Sequence, residues 1–125
     1  MLALDVNLFV QEMFKTEPKI RYVAVIENFR IVGYKQREGL TLNTPTEIIR
    51  NYVSIMPPIM IDSVAKLSPY LGEAEFVIVR YAKVLHVYFR KGNFVVVASF
   101  DPDISESLFA KITEGFNRLS RQYLS

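Results

Sequence analysis

Three groups of residues in this chain are of types that could do chemistry. Ser99, Asp101 and His86 offer a hydroxyl, a carboxylate and the chain's one imidazole, the parts of a nucleophilic triad. His86 falls inside the apolar run "VLHVYF", however, and Ser99 near the end of "FVVVASF". Such runs read as strands covered on both faces, so a packing role is expected for both residues. A single histidine without cysteine also cannot build a usual zinc site. Asp101, Asp103 and Glu106 form an acidic cluster of the kind that holds a hard cation through oxygen. The same spacing is that of a strand exit followed by a helix start. In "DISE" Asp103 can cap the helix while Glu106 reaches back, and that is the expected role. Arg80, Lys83, Arg90 and Lys91, with Tyr81 and Tyr88 between them, could track a nucleic-acid backbone or touch a protein partner. A solvated rim that blunts aggregation is the reading preferred over nucleic acid. The glycines fall into no phosphate-loop spacing, and no G-x-S-x-G elbow occurs. No catalytic residue, metal ligand or cofactor is therefore assigned.

Composition sets the frame in which these groups sit. The 125 residues amount to one domain, 1–125, with half of them hydrophobic and 22% charged. The 15 basic and 13 acidic residues nearly balance at +2, and the basic ones are spread along the chain rather than gathered on one face. Cysteine is absent, which removes disulfides and thiolate chemistry and fits a cytoplasmic location. No apolar run approaches the roughly 18 residues that a membrane span needs, and the start "MLALDVNLFV" lacks the basic region of a secretory signal.

The elements that would position these groups follow from periodicity. Leu4 to Phe14 repeats apolar residues at helical spacing, and Glu17-Pro18 ends it. Tyr22 to Ile26 and Ile31 to Lys35 read as two strands about a turn at Glu27 to Arg30. "TPTE" announces a second helix, with Thr44 as cap, Pro45 at the first helical position and Glu47 completing a capping box. That helical pattern runs towards Leu67, and "SPYLG" closes it. Three strands follow, Glu75 to Arg80, Val84 to Phe89 and Phe94 to Ser99, with Gly92-Asn93 turning the second hairpin. The last helix aligns Leu108, Ile112, Phe116, Leu119 and Tyr123. The strands barely alternate in polarity, so the middle helix is expected on one face of the sheet and the terminal helices on the other.

Pro57 and Pro58 interrupt the middle helix at its most apolar point, "SIMPPIMIDS". Proline in a helix interior costs about 3 kcal/mol or more, so a kink, or a break with a restart at Pro58, is expected there. The apolar band around the prolines is wider than one sheet face requires, which leaves Ile55, Met56, Ile59 and Met60 seeking a partner.

This order, helix, two strands, helix, three strands, helix, resembles the roadblock (dynein light chain) superfamily of profilin-like fold. More narrowly, "IRYVAVIENFRIVGYKQREGLTL" and "YLGEAEFVIVRYAKVLHVYFRKGNFVVVASFDPD" look like a family of archaeal proteins without an assigned activity. The chain departs from it at Pro57-Pro58 and in having no glycine in the Glu27 to Arg30 turn. The resemblance implies an α+β fold with a five-stranded antiparallel sheet in the order 2-1-5-4-3. It also implies homo- or heterodimers through the middle helix and the third strand. Many relatives serve as scaffolds or regulators of small GTPases. The expectation is a non-enzymatic homodimeric interaction domain with a further protein partner. Its interface would comprise Ile55, Met56, Ile59 and Met60 with Phe76, Val77, Ile78 and Val79, the last four forming an uncharged edge that unpaired would be an aggregation template. The alternatives are a small-molecule-sensing domain, with an apolar pocket about Tyr88, Phe89 and Phe94, and a nucleic-acid-binding hairpin.

Overall fold

The computed structural model describes residues 4–41 and 44–125. Two β-branched runs form the centre of the sheet because both of their faces can be buried. They are β1 (Ile20–Glu27) and β5 (Phe94–Phe100), paired antiparallel with Val25 opposite Val96 and Val23 opposite Ala98. β2 (Arg30–Gln36) flanks β1, and β4 (Leu85–Lys91) then β3 (Val77–Arg80) follow β5 on the other side. All pairings are antiparallel and the order is β2-β1-β5-β4-β3, the order that the resemblance implied. β3 is shorter than the expected strand. Glu75 and Phe76 precede it, and Phe76 turns into the core against Phe89 and Phe109.

One face is closed by α1 (Val6–Phe14) and α5 (Glu106–Tyr123). Asp5 caps α1 by accepting from the Leu8 amide at 3.0 Å. Phe9, Met13, Ile112 and Phe116 pack on Val23, Val87, Phe89 and Val96, with the Phe89 and Phe116 rings stacked at 4.3 Å. Gly33 in β2 lets α1 come this close: a Cβ there would lie 2.5 Å from Val6 Cγ1. The turn from β1 to β2 runs through positive φ at Asn28 (51°) and Phe29 (62°), so the two-residue hairpin forms without glycine.

The opposite face is covered by the middle segment, which is in three pieces. α2 (Thr46–Ile48) passes into a π-helical turn, Ile49–Val53, and after Ser54 and Ile55 a new helix, α3 (Met56–Ala65), begins. α4 (Ser68–Leu71) ends the segment at Gly72, whose φ of 85° needs glycine. The new helix therefore starts one residue before Pro57. Both prolines fall in the first turn of α3, where the missing amide hydrogens have no helical acceptor to lose. The capping box also differs from expectation. Pro45, in an extended conformation, takes the cap position and Thr46 the first helical one, with no side-chain cap. Ile61, with Val53 and Met60 beside it, packs on Tyr22, Ala24, Val95 and Val97. Among the described residues no helix is long and apolar enough to cross a membrane.

Candidate functional site

The middle segment leaves space over one end of its face of the sheet. Between the π-helical turn and the strands lies a cavity of about 600 Å³. Its floor follows from strand register. Ser99 lies opposite Tyr22 of β1 on one side and His86 of β4 on the other, which puts the three in one row across the sheet. An irregularity in β1 between Ile20 and Tyr22 inserts Arg21 beside that row. Tyr52, Val53 and Met56 form the roof, and Tyr81 with Lys83 forms one wall.

The floor is aromatic. The His86 ring lies 5.3 Å from Tyr81, 5.9 Å from Tyr22 and 6.3 Å from Tyr88, centroid to centroid. Burial, helped by the Arg21 charge, lowers the His86 pKa to about 4, so the ring is neutral at physiological pH. Burial pushes the Tyr22 hydroxyl well above its ordinary pKa and, with Tyr81 adding to it, the Tyr88 hydroxyl to about 12. Two polar atoms of residues that border the cavity, Arg21 Nε and Ser99 Oγ, are buried without a hydrogen-bond partner among the described residues. Arg21 is 9% exposed and Ser99 1%. Such groups are rare because each costs about 1–3 kcal/mol when left unpaired.

The residues singled out by sequence fall into several places. Ser99 and His86 are neighbours in the row, but Asp101 is engaged beyond the end of β5. Arg37 donates to its two oxygens at 2.9 and 3.0 Å, and Arg21 Nη1 stands 3.7 Å away. These guanidinia, Arg37 first, hold the Asp101 carboxyl below the usual carboxylate range. Asp103 does not cap α5. It accepts from Lys19 Nζ at 2.8 Å, and the cap position belongs to Ser105, with Glu106 as the first helical residue. The acidic cluster is thus divided among separate partners. The basic group is divided as well. Arg80 donates to the Pro102 carbonyl and Lys83 lines the cavity, whereas Arg90 pairs with Asp62 and Lys91 borders a shallow groove on the α5 side. Arg80 lies opposite Leu85 in the ladder, so five residues, roughly 17 Å of strand, separate its level from Arg90.

Ile55, Met56 and Ile59 lie exposed on the middle segment, whereas Met60 is partly buried against the sheet-side core. In β3 Ile78 is exposed, Val77 and Val79 pack beneath the middle segment, and Phe76 joins the opposite core. Among the described residues Tyr88, Phe89 and Phe94 do not share a pocket, the arrangement that would favour the small-molecule-sensing alternative. Tyr88 and Phe89 are consecutive in β4 and face opposite layers, and Phe89 and Phe94 are core residues beneath α1 and α5. Arg21 and Tyr52 were not picked out by sequence. The available signal was Arg21 itself, a lone charge between Ile20 and Tyr22 in a strand buried on both faces.

No protein-family model matches the sequence, and no curated protein sequence does either. Solved structures do match in three dimensions, and they define the class of fold: the chain has the fold of roadblock domains, within the wider profilin-like group. A roadblock/LC7 domain from Streptomyces avermitilis superposes with a TM-score of 0.70 at 8% identity, covering 96% of this chain and 98% of that one. The gliding protein MglB from Thermus thermophilus gives 0.67 at 15% identity, covering 97% and 91%. Profilin from Schizosaccharomyces pombe gives 0.56 at 16%, covering 94% and 97%.

Proposed function

We propose that the protein is a non-enzymatic, cytoplasmic interaction domain that acts as a homodimer and regulates or scaffolds a small GTPase or a comparable signalling partner. The observation that carries the reading is an exposed apolar surface beside an open sheet edge. Ile48, Tyr52, Ile55, Met56 and Ile59 are each 43–54% exposed along the middle segment, and Ile55 and Ile59 lie outside the cavity that the other three line. β3, the edge strand, pairs with β4 alone among the described residues, and its Val77 and Val79 pack in the same cluster as Val53, Met60 and Ile61 of the middle segment. A two-fold axis beside β3 would pair that edge with its own copy and bury the helix surface in the same contact, so one patch suffices. A further solved structure with this fold, MglB in a tetrameric arrangement, supports self-association as a use of the scaffold. The GTPase part rests on the likeness to roadblock domains and to MglB.

Sedimentation velocity at micromolar to high micromolar concentration tests the reading. Wild-type protein should sediment as a dimer. Ile59→Glu should be monomeric with an unchanged circular dichroism spectrum, because a charge is placed in the contact and not in the core. A well-behaved wild-type monomer at high micromolar concentration would refute the dimer. Affinity capture from the source cells that never returns a GTPase would remove that part of the proposal while leaving the dimer standing.

A further inference from the structure

We propose that the cavity beneath the π-helical turn is a binding site for a small organic carboxylate with an aromatic or aliphatic body, its carboxylate received by Arg21 and Ser99. The size is suitable, since about 600 Å³ lies within the range of sites that enclose small molecules. So is the lining: the tyrosines with Ile49, Met56 and Val97 make most of it apolar, and Arg21 and Ser99, each with a buried polar atom that lacks a partner among the described residues, both border it. Arg21 Nε and Ser99 Oγ belong to adjacent strands, and Ser99 lies opposite Tyr22, the residue that follows Arg21. Both atoms are buried and lack a partner among the described residues, so these residues leave two hydrogen-bonding groups unused.

Charge selects the ligand further. Asp101 is the acid that pairs with Arg21 among the described residues, and Arg37 already engages both of its oxygens. Arg21 reaches Asp101 only at 3.7 Å through Nη1, which leaves one carboxylate facing two guanidinia. The cluster has one positive charge in excess. Lys83 adds a cation to the cavity wall, and no aspartate or glutamate lines the cavity among the described residues. One excess guanidinium, one hydroxyl and a neutral His86 suit a monoanion. A phosphate dianion needs more donors, as supplied by a glycine-rich loop, and no such loop borders the cavity among the described residues. The apolar floor and roof then take the body of the ligand. This inference rests on the cavity beneath the middle segment and not on the dimer, although Ile48, Tyr52 and Met56 belong to both surfaces.

The test is a titration of the full chain, followed by NMR and calorimetry, with phenylacetate, octanoate, their neutral amides and inorganic phosphate. At least one carboxylate should bind and shift the resonances of Val97 and Met56. Its amide should bind about tenfold more weakly or worse, as the loss of one charged hydrogen bond implies. Arg21→Met should remove the preference for carboxylate over amide while leaving the weak amide binding in place, so a folded variant is shown by its own readout. Ser99→Ala, a small change that keeps the strand's apolar packing, should weaken the carboxylate several-fold. Carboxylate and amide of equal affinity, or a preference that survives Arg21→Met, would overturn the proposal. So would inorganic phosphate competing at equal concentration. A full panel that moves no cavity resonance at millimolar concentration would overturn it too, since ordered water alone would then satisfy Arg21 and Ser99.

Discussion

Lowering the pH should destabilise the fold through His86 before Asp101 and Asp103 contribute. The imidazole has a pKa of about 4 in the folded protein against 6.5 for the unperturbed group, lowered by burial first and the Arg21 charge second. Between these values the unfolded chain holds a proton that the native chain does not, so stability rises with pH there and is lost as pH falls. The stability held at neutral pH starts to decline near the unfolded value and is fully lost below the folded one. The whole shift corresponds to about 3 kcal/mol, and partial solvent access to the ring trims this to roughly 2–3 kcal/mol. About 1–2 kcal/mol of it should have gone by pH 5. Asp101 and Asp103 do not confuse the reading. Arg37 and Lys19, respectively, lower their pKa values below 3.8, so their contributions are present above that value and disappear only at more acid pH. Urea denaturation of wild type and His86→Phe at about pH 7.5 and about pH 5 gives the difference directly, with the variant losing less stability on acidification by about 1–2 kcal/mol. Because His86 is the only histidine, its ring proton resonances can be followed without assignment ambiguity. Parallel stability curves for the two proteins, or an imidazole that titrates near its unperturbed value in the folded state, would refute the burial argument and with it the neutral cavity floor.

Two substitutions test how the rest of the fold is held. Gly33→Ala places a methyl group 2.5 Å from Val6 Cγ1, and since valine has little rotameric freedom in a helix, α1 must shift; a loss of about 1–3 kcal/mol in urea denaturation is expected, with partial rescue by Val6→Ala. Phe29→Gly should raise stability by about 0.5 kcal/mol, because it relieves a left-handed aromatic residue at a cost in unfolded-state entropy; a lower denaturation midpoint would mean that Phe29 packs more usefully than its exposed position suggests.

The layered architecture was legible in sequence because β1 and β5 are nearly uninterrupted runs of β-branched and small apolar residues, which only a doubly covered sheet can bury. The α5 stripe was legible for a similar reason, since Ile112, Phe116 and Leu119 recur at helical spacing and all are buried. What escaped was decided by distant residues or by a break in local regularity. Asp103 satisfies the local pattern of a cap, but Lys19, 84 positions earlier, reaches it across the end of the sheet. Arg21 becomes a cavity residue through an irregular pairing with β5, and no window of sequence around it announces that shift. The cavity itself depends on how far one layer stands from another, a quantity that periodicity does not encode.

The two prolines connect these features. A continuous helix from Thr46 to Leu67 could lie flat on the sheet with one stripe against it. Pro57 and Pro58 fit without loss where a helix begins just before them, and the chain stops and restarts about Ser54 and Ile55. Upstream of the stop the backbone widens into a π turn, and the Ser54 hydroxyl donates back to the Arg50 carbonyl at 2.9 Å, a bond that goes with helix bending. The widened turn is the part of the segment that roofs the cavity, while α3 beyond the prolines packs down through Ile61. Met56, the first residue after the restart, serves both sides: it lines the cavity and is 45% exposed on the surface proposed for the dimer. If both proposals hold, a carboxylate held under Met56 and a second copy packed over it contend for the same side chain. Any change that one makes in the affinity of the other must then be returned by the same factor, so the break that the prolines impose would couple association to ligand occupancy.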